Sequence, residues 1–93
     1  MTDTELVAVA AEAYLYHRAW RNKHRPPNKC PKPSGGKIID RELDARGITE
    51  RPERDHVWAA LAGEAFEAAE HLHESAPKTG QRREYFLTNQ PGA

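Results

Sequence analysis

Residues 52–75 of this 93-residue chain, PERDHVWAALAGEAFEAAEHLHES, are the stretch that decides the fold. Their apolar side chains recur at steps of three and four residues, which is the spacing of one face of an α-helix. That face holds Trp58, Leu61, Ala65, Ala68 and Leu72. Pro52 suits the first turn of a helix, and Pro77 prevents the helix from continuing. The pattern predicts a long helix from about 52 to 75.

This helix is also expected to supply the core. Trp58, Leu61 and Phe66 are its largest apolar residues, and we predict that all three are buried. Leu, Ile, Val and Phe make up only 14 of the 93 residues, so the core is small. The alanines between them would let another helix approach closely. We therefore expect helix-mediated self-association, most simply a twofold homodimer.

A second long helix is predicted near the N-terminus. Thr2 and Glu5 have the spacing of a capping box, and apolar residues recur from there to Trp20. These are Leu6, Val9 or Ala10, Ala13, Tyr16 or His17, and Trp20. The helix is expected to span residues 3–20, and Pro26 and Pro27 prevent it from continuing far beyond.

The segment between the two long helices is rich in proline and glycine. Its prolines favour extended backbone over residues 21–37, and Ser34-Gly35-Gly36 is expected to be a flexible joint. A short helix is predicted over 38–46, ended by Gly47 in the left-handed conformation, with Ile48 folded back onto it.

Together these elements predict an all-α fold in which two long antiparallel helices are separated by a basic arm and a short third helix. Residues 1–76 would form one helical domain, of which 21–37 are the arm. Residues 77–93 would be an extended tail carrying an aromatic anchor.

Charge is segregated along the chain, although its net charge is zero. Residues 13–39 contain no acidic residue and carry a charge of +7, whereas residues 40–76 carry −6. One region can therefore attract anionic partners and another cationic ones.

The basic arm and the tail are the predicted partner-binding residues. The basic candidates are Arg18, Arg21, Lys23, Arg25, Lys29 and Lys32, and the tail candidates are Tyr85, Phe86 and Leu87. An acidic protein surface, including the chain's own Glu-rich helix, is the favoured target of the arm. Nucleic acid is an alternative, since cations neutralise phosphates, and simple solvation is another. The aromatic cluster would either pack back on the helices or anchor in a partner's pocket.

Catalytic and metal-binding interpretations are weaker. The Glu64, Glu67 and Glu70 stretch resembles the Glu-rich helix of MazG-like nucleotide pyrophosphohydrolases, a resemblance that implies Mg²⁺ binding by these carboxylates. Those enzymes need a second acidic pair on a following helix, whereas Pro77 begins a tail here. His17, His24 and Cys30 offer too few ligands for a zinc site, and Cys30 has no evident base beside it. We expect no catalytic residue, no metal and no cofactor.

The lone cysteine and the absence of a signal peptide or of a long apolar run predict a cytoplasmic protein that does not enter a membrane. Its composition is typical of small phage accessory proteins, which would place it in the host cytoplasm. We expect a non-enzymatic, protein-binding adaptor or inhibitor of that kind. A nucleic-acid-binding accessory protein and a structural subunit of a larger particle are the alternatives.

Overall fold

The computed structural model describes residues 1–76 and Leu87, and the regular structure in this part is entirely helical. Helix α1 spans Asp3–Lys23, α2 spans Gly35–Ala45 and α3 spans Glu53–Ser75. The predicted all-α class is confirmed. Predictions for the tail other than Leu87, including those for Tyr85 and Phe86, lie outside the described residues.

The predicted capping box of α1 is confirmed. The Thr2 hydroxyl accepts a hydrogen bond from the Glu5 backbone N–H at 3.1 Å, and the Glu5 carboxylate accepts one from the Thr2 backbone N–H at 3.4 Å. The helix continues three residues past the predicted end, to Lys23. Arg21 and Lys23 lie in its last turn, where positive charge opposes the negative end of the helix dipole.

Helix α2 begins at Gly35, three residues earlier than predicted. Ser34 caps it by accepting a hydrogen bond from the Lys37 backbone N–H at 3.3 Å, so the expectation of a flexible joint at 34–36 is wrong. Gly35 is buried because α1 lies directly against it. A Cβ atom there would come within 2.7 Å of the Ala10 carbonyl oxygen. The two glycines serve close helix packing and not chain flexibility.

The ends that face the α2–α3 connection agree with the sequence analysis. Gly47 has a φ of 75°, and the Ile48 backbone N–H donates to the Leu43 carbonyl at 3.0 Å, which closes the end of α2. Pro52 precedes α3 by one residue and does not lie within it.

The two long helices run in the same direction, so the predicted antiparallel arrangement is wrong. The rings of Tyr14 and Phe66 stack with centroids 4.3 Å apart, and farther along both helices Leu15 and Ala19 cluster with Ala69. Helix α2 runs the opposite way, since Gly35 lies at Ala10 whereas Arg46 contacts Asp3. The connection between α1 and α2 reverses the direction of the chain, and the connection between α2 and α3 reverses it again.

Helix α2 covers only the first half of the α1–α3 pair. The main core cluster lies where all three helices meet and consists of Leu6, Ala10, Ile39, Leu43, Leu61, Ala62 and Ala65. A smaller cluster follows along α1 and α3 and consists of Ala11, Leu15, Ala19, Ala69 and Ala76. The molecule is therefore three helices thick at one end and two helices thick at the other over the described residues.

This geometry corrects the predicted core. Leu61 is buried, but Trp58 is only half-buried and Phe66 is 55% exposed. Trp58 and Phe66 lie two turns apart along α3, and Trp58 is within hydrogen-bonding distance of Gly36 on α2. Phe66 lies beyond the point where α2 begins, so no part of α2 covers it. Leu72, on the predicted seam, is 41% exposed for the same lack of a third helix.

The apolar face predicted for α1 is correct at Leu6 and Ala10 and wrong farther along. Val9 is exposed, whereas Leu15 and Ala19 are buried in place of Ala13, Tyr16 and Trp20. The buried face rotates because α1 packs on both α2 and α3 at its start and on α3 beyond residue 14.

Candidate functional site

The predicted basic residues lie together at the C-terminal end of α1 and in the segment that follows. Arg18, Arg21 and Lys23 are on the last turns of the helix, and residues 24–34 connect α1 to α2. We call the following set the basic surface: Arg18, Arg21, Lys23, Arg25, Lys29 and Lys32, all of which are exposed. The arm is shorter than the predicted 21–37, because both ends of that range belong to helices.

The arm turns back soon after α1 ends. The Asn28 backbone N–H donates to the Arg25 carbonyl at 3.1 Å, and the peptide bond between Pro26 and Pro27 is cis. The hydrogen bond between Asn28 and Arg25 closes a turn at Pro26 and Pro27, so the prediction of an extended backbone is wrong at this point. Farther along, the Lys32 ammonium lies 4.7 Å from the centre of the Tyr16 ring, so the arm contacts α1 there.

Between residues 40 and 76, three of the four arginines have carboxylate partners, and Arg41 is exposed without one in the described part of the chain. Arg46 contacts Asp3 at 2.6 Å and Glu42 at 3.2 Å, and Arg51 contacts Asp55 at 3.1 Å. Arg54 bridges α3 to α2 through Asp40 at 3.3 Å and Asp44 at 2.8 Å. The Arg46–Asp3 pair joins α2 to α1 and the Arg54 pairs join α3 to α2, whereas the Arg51–Asp55 pair is local to the start of α3.

The basic surface differs from them. Within residues 1–76 and Leu87, no carboxylate lies within 4 Å of Arg18, Arg21, Arg25 or Lys29. The exposed glutamates of α3, which are Glu64, Glu67, Glu70 and Glu74, make no ion pair with them in this part of the chain. For Arg18, Arg21, Arg25 and Lys29, docking on the chain's own acidic helix is therefore not realised in the described part of the chain, and these four side chains are exposed.

Aromatic side chains lie among these cations; Tyr16 and Trp20 are close to the arm in sequence, but their ring contacts were not predicted. Tyr16, Trp20 and His24 follow at four-residue steps at the end of α1. The rings of Trp20 and His24 stack with centroids 4.2 Å apart, and the Lys32 ammonium lies 4.7 Å from the centre of the Tyr16 ring. Their four-residue spacing could have indicated a row of aromatic side chains on one face of α1. The apolar periodicity of the sequence instead predicted that Tyr16 and Trp20 belong to the apolar face that packs in the core.

A groove of about 300 Å³ opens beside the basic surface, between α1 and α3. Its walls are mainly apolar and include the stacked Tyr14 and Phe66, with Arg18 on the α1 side and Glu70 on the α3 side. Ser34, the cap of α2, lines it as well. Burial, and to a lesser extent the negative charge of Asp40, raises the pKa of Tyr14 above its ordinary value of 10.0. Tyr14 is therefore a neutral, partly buried wall of the groove at physiological pH.

The tail prediction is tested at one residue. Leu87 is half-buried and packs against the smaller core cluster of α1 and α3. At this position the tail packs on the helices, which is one of the two alternatives predicted for the aromatic cluster. Tyr85 and Phe86 lie outside the described residues.

Metal ligation was considered for His17, His24 and Cys30. Among the described residues, no group of three His, Cys, Asp or Glu side chains is placed to hold a metal ion. Cys30 is a half-buried free thiol. None of the helices described has both the length and the apolar character required to cross a bilayer.

Comparisons with protein-family models, with curated proteins and with solved structures found no match to this chain. The functional interpretation therefore depends on the surface itself.

Proposed function

We propose that this protein is a small non-enzymatic adaptor or inhibitor whose basic surface binds an acidic surface of another protein. One observation carries the proposal: Arg18, Arg21, Arg25 and Lys29 are exposed and clustered in sequence without a carboxylate partner among the described residues. Arg46, Arg51 and Arg54 are used in ion pairs, and Arg41 is a single exposed cation on α2. The arginines that join separate elements, Arg46 and Arg54, are thus distinct from the cations that are available to a partner.

The arrangement of the cations favours a binding role over simple solvation. They lie on the end of a helix and on a segment that turns back beside it, so they share one end of the molecule. A cluster of like charge steers a complementary partner and raises its association rate, and salt screens this effect over about 8–10 Å. Binding by this surface should therefore weaken as salt concentration rises.

Affinity capture from the source cell tests the proposal. The immobilised protein is incubated with extract, with and without prior nuclease treatment, and bound material is eluted with a salt gradient and identified by mass spectrometry. We expect an acidic protein that is retained after nuclease treatment and released at moderate salt. Capture only of nucleic acid, or of proteins lost after nuclease treatment, would contradict the proposal.

Nucleic acid is the second candidate, and the aromatic row supports it. Single-stranded nucleic acids bind where cations hold phosphates and aromatic rings stack on bases. Tyr16, Trp20 and His24 provide rings among the cations, although one face of Trp20 is already covered by His24. Fluorescence anisotropy with labelled single-stranded oligonucleotides tests this candidate. It predicts micromolar or tighter binding at low salt that Trp20→Ala weakens.

A homodimer and a role as an assembly subunit remain proposals. The alanine seam that favoured a dimer packs on α1 of the same chain, through Leu61 and Ala65. The exposed Phe66 and Leu72 are the apolar groups that a second copy could cover. Sedimentation velocity at micromolar concentration distinguishes a 10.5 kDa monomer from a dimer of twice that mass.

A further inference from the structure

We infer that the groove between α1 and α3 binds a helical segment of the protein partner, one that is apolar on one face and carries carboxylates along the edge that meets α1. The inference rests on the proposed function and specifies how the partner is held.

The groove continues the slot that α2 occupies. Gly35 lies against Ala10 and Tyr14 of α1, and Trp58 of α3 contacts Gly36, so α2 sits between the two long helices. The groove begins at Ser34, the cap of α2, and its lining extends along the same two helices to Arg18 and Glu70. A slot that accommodates one helix has the width for another.

The lengths of α1 and α3 along and beyond the groove lining also leave room for a short helix to lie on them. Beyond the stacked pair of Tyr14 and Phe66, α1 continues for 9 residues to Lys23 and α3 for 9 residues to Ser75. At about 1.5 Å per residue this is about 13 Å, or between two and three helical turns. An amphipathic helix of that length presents anchors at positions i, i+3 or i+4, and i+7.

The apolar component of the contact comes from Phe66. Its ring is 55% exposed although it stacks on Tyr14, and it is among the most exposed large apolar residues of the described chain. Exposed aromatic rings at the edge of a mainly apolar groove are the typical anchors of protein interfaces.

Charge determines which helix fits. The α1 side of the groove carries Arg18, and Arg21 follows one turn later, without a carboxylate partner within 4 Å in the described part of the chain. The α3 side carries Glu70. A bound helix is therefore expected to place acidic residues toward α1 and neutral or basic residues toward α3, with its apolar face on Phe66.

Three synthetic helical peptides of about 14 residues test this inference. The first has a leucine face, glutamates along one edge and glutamines along the other. The second replaces the glutamates with lysines, and the third replaces the leucines with alanines. Each carries a fluorophore, and binding to the full chain is measured by anisotropy at low salt.

Protein variants locate the site. Phe66→Ser and Arg18→Glu alter the groove, and Leu72→Ser and Arg41→Glu are matched changes of exposed residues outside it. We expect the leucine–glutamate peptide to bind the wild type and to lose about tenfold or more in affinity with either groove variant. The matched variants should remain within about twofold of the wild type, and Arg18→Glu should prefer the lysine peptide. Circular dichroism confirms that each variant is folded.

Several outcomes would overturn the inference. If Phe66→Ser does not weaken binding of the leucine–glutamate peptide, or if the alanine peptide binds equally well, the groove is not the binding site. The proposed role of the basic surface would still stand in that case. Absence of binding by the leucine–glutamate peptide, or preference of the wild type for the lysine peptide, would also contradict it. A wild-type dimer that Phe66→Ser dissociates would assign the groove to a second copy. Displacement of the leucine–glutamate peptide from the groove by an oligonucleotide would assign the groove to nucleic acid.

Discussion

Leu61 and Phe66 lie on the same helix but have opposite surroundings. Leu61 is 5% exposed within the three-helix core, whereas Phe66 is 55% exposed beyond the end of α2. We predict that Leu61→Ala lowers the free energy of unfolding by about 2–4 kcal/mol, because it leaves a cavity. Phe66→Ala should cost about 1 kcal/mol or less, since most of the ring is already in water.

Chemical denaturation of the two variants measures this difference. Exposed Val9→Ala serves as a control for loss of apolar side chain at the surface. Equal destabilisation by Leu61→Ala and Phe66→Ala would show that the core extends along α3 as the sequence pattern predicts.

Glu12 provides a test through pH. Partial burial raises the pKa of this carboxyl above its ordinary value of 4.5. The folded protein therefore binds the proton of Glu12 more tightly than the unfolded chain does. As the pH rises above 4.5 and Glu12 ionises, the stability of the fold falls. We predict that Glu12→Gln raises the Tm at pH 7, and that the gain disappears as the pH falls below 4.5.

Thermal melts of the wild type and of Glu12→Gln across this pH range check the prediction. Glu64→Gln, a change at an exposed glutamate of α3, is the matched control and should show no such gain. A benefit of Glu12→Gln that is equal at all pH values would point to helix propensity as its cause.

At the scale of elements, the packing of α2 against α1 depends on Gly35. A Cβ atom there would lie 2.7 Å from the Ala10 carbonyl oxygen and 2.8 Å from the Tyr14 ring. We predict that Gly35→Ala destabilises the fold by about 1–3 kcal/mol through overpacking. At Gly63 on α3, a Cβ atom would have no neighbouring atom within 4 Å. Gly63→Ala should therefore stabilise the fold by about 0.5–1 kcal/mol.

Both glycines are helical, so helix propensity alone would make both substitutions stabilising. Urea denaturation of the two alanine variants separates the explanations. Stabilisation by Gly35→Ala would show that α2 does not approach α1 as closely as described.

Helix ends were the most predictable elements because their signals are local. The Thr2–Glu5 capping box, the left-handed Gly47 and Pro77 act within one turn of the ends that they define. The start of α2 was missed because Gly35 and Gly36 are typical of flexible segments, whereas here they serve close packing. Whether a glycine does one or the other depends on α1, which is distant in sequence.

Longer-range features could not be predicted in the same way. The parallel direction of α1 and α3, and hence the exposure of Phe66, follows from how α2 reverses the chain. The exposed cations of the candidate site were predictable, since charged residues rarely enter a core. Their aromatic neighbours and the groove were not, because these depend on which faces of α1 and α3 remain uncovered.

At the scale of the whole molecule, the arginine–carboxylate ion pairs described above lie at the three-helix end. Arg46 and Arg54 connect the N-terminus, α2 and α3 through carboxylates. At the other end, Arg18 of α1 and Glu70 of α3 line the same groove, and Arg18, Arg21, Arg25 and Lys29 make no ion pair with a glutamate of α3 in the described part of the chain. A neutral chain thus carries two separate charged surfaces, and the proposed function assigns binding to the basic one.

The affinity of the captured partner for two charge variants tests this assignment most directly. Arg21, Lys23 and Arg25 are changed together to Ser in one variant, and Glu64, Glu67 and Glu70 in the other. Circular dichroism should show both variants folded as the wild type, because these side chains are exposed. We predict that the basic variant binds the partner at least about tenfold more weakly, mainly through slower association, and that the acidic variant binds nearly as the wild type does. Loss of binding by the acidic variant with retention by the basic one would contradict the account and make the glutamate face of α3 the site.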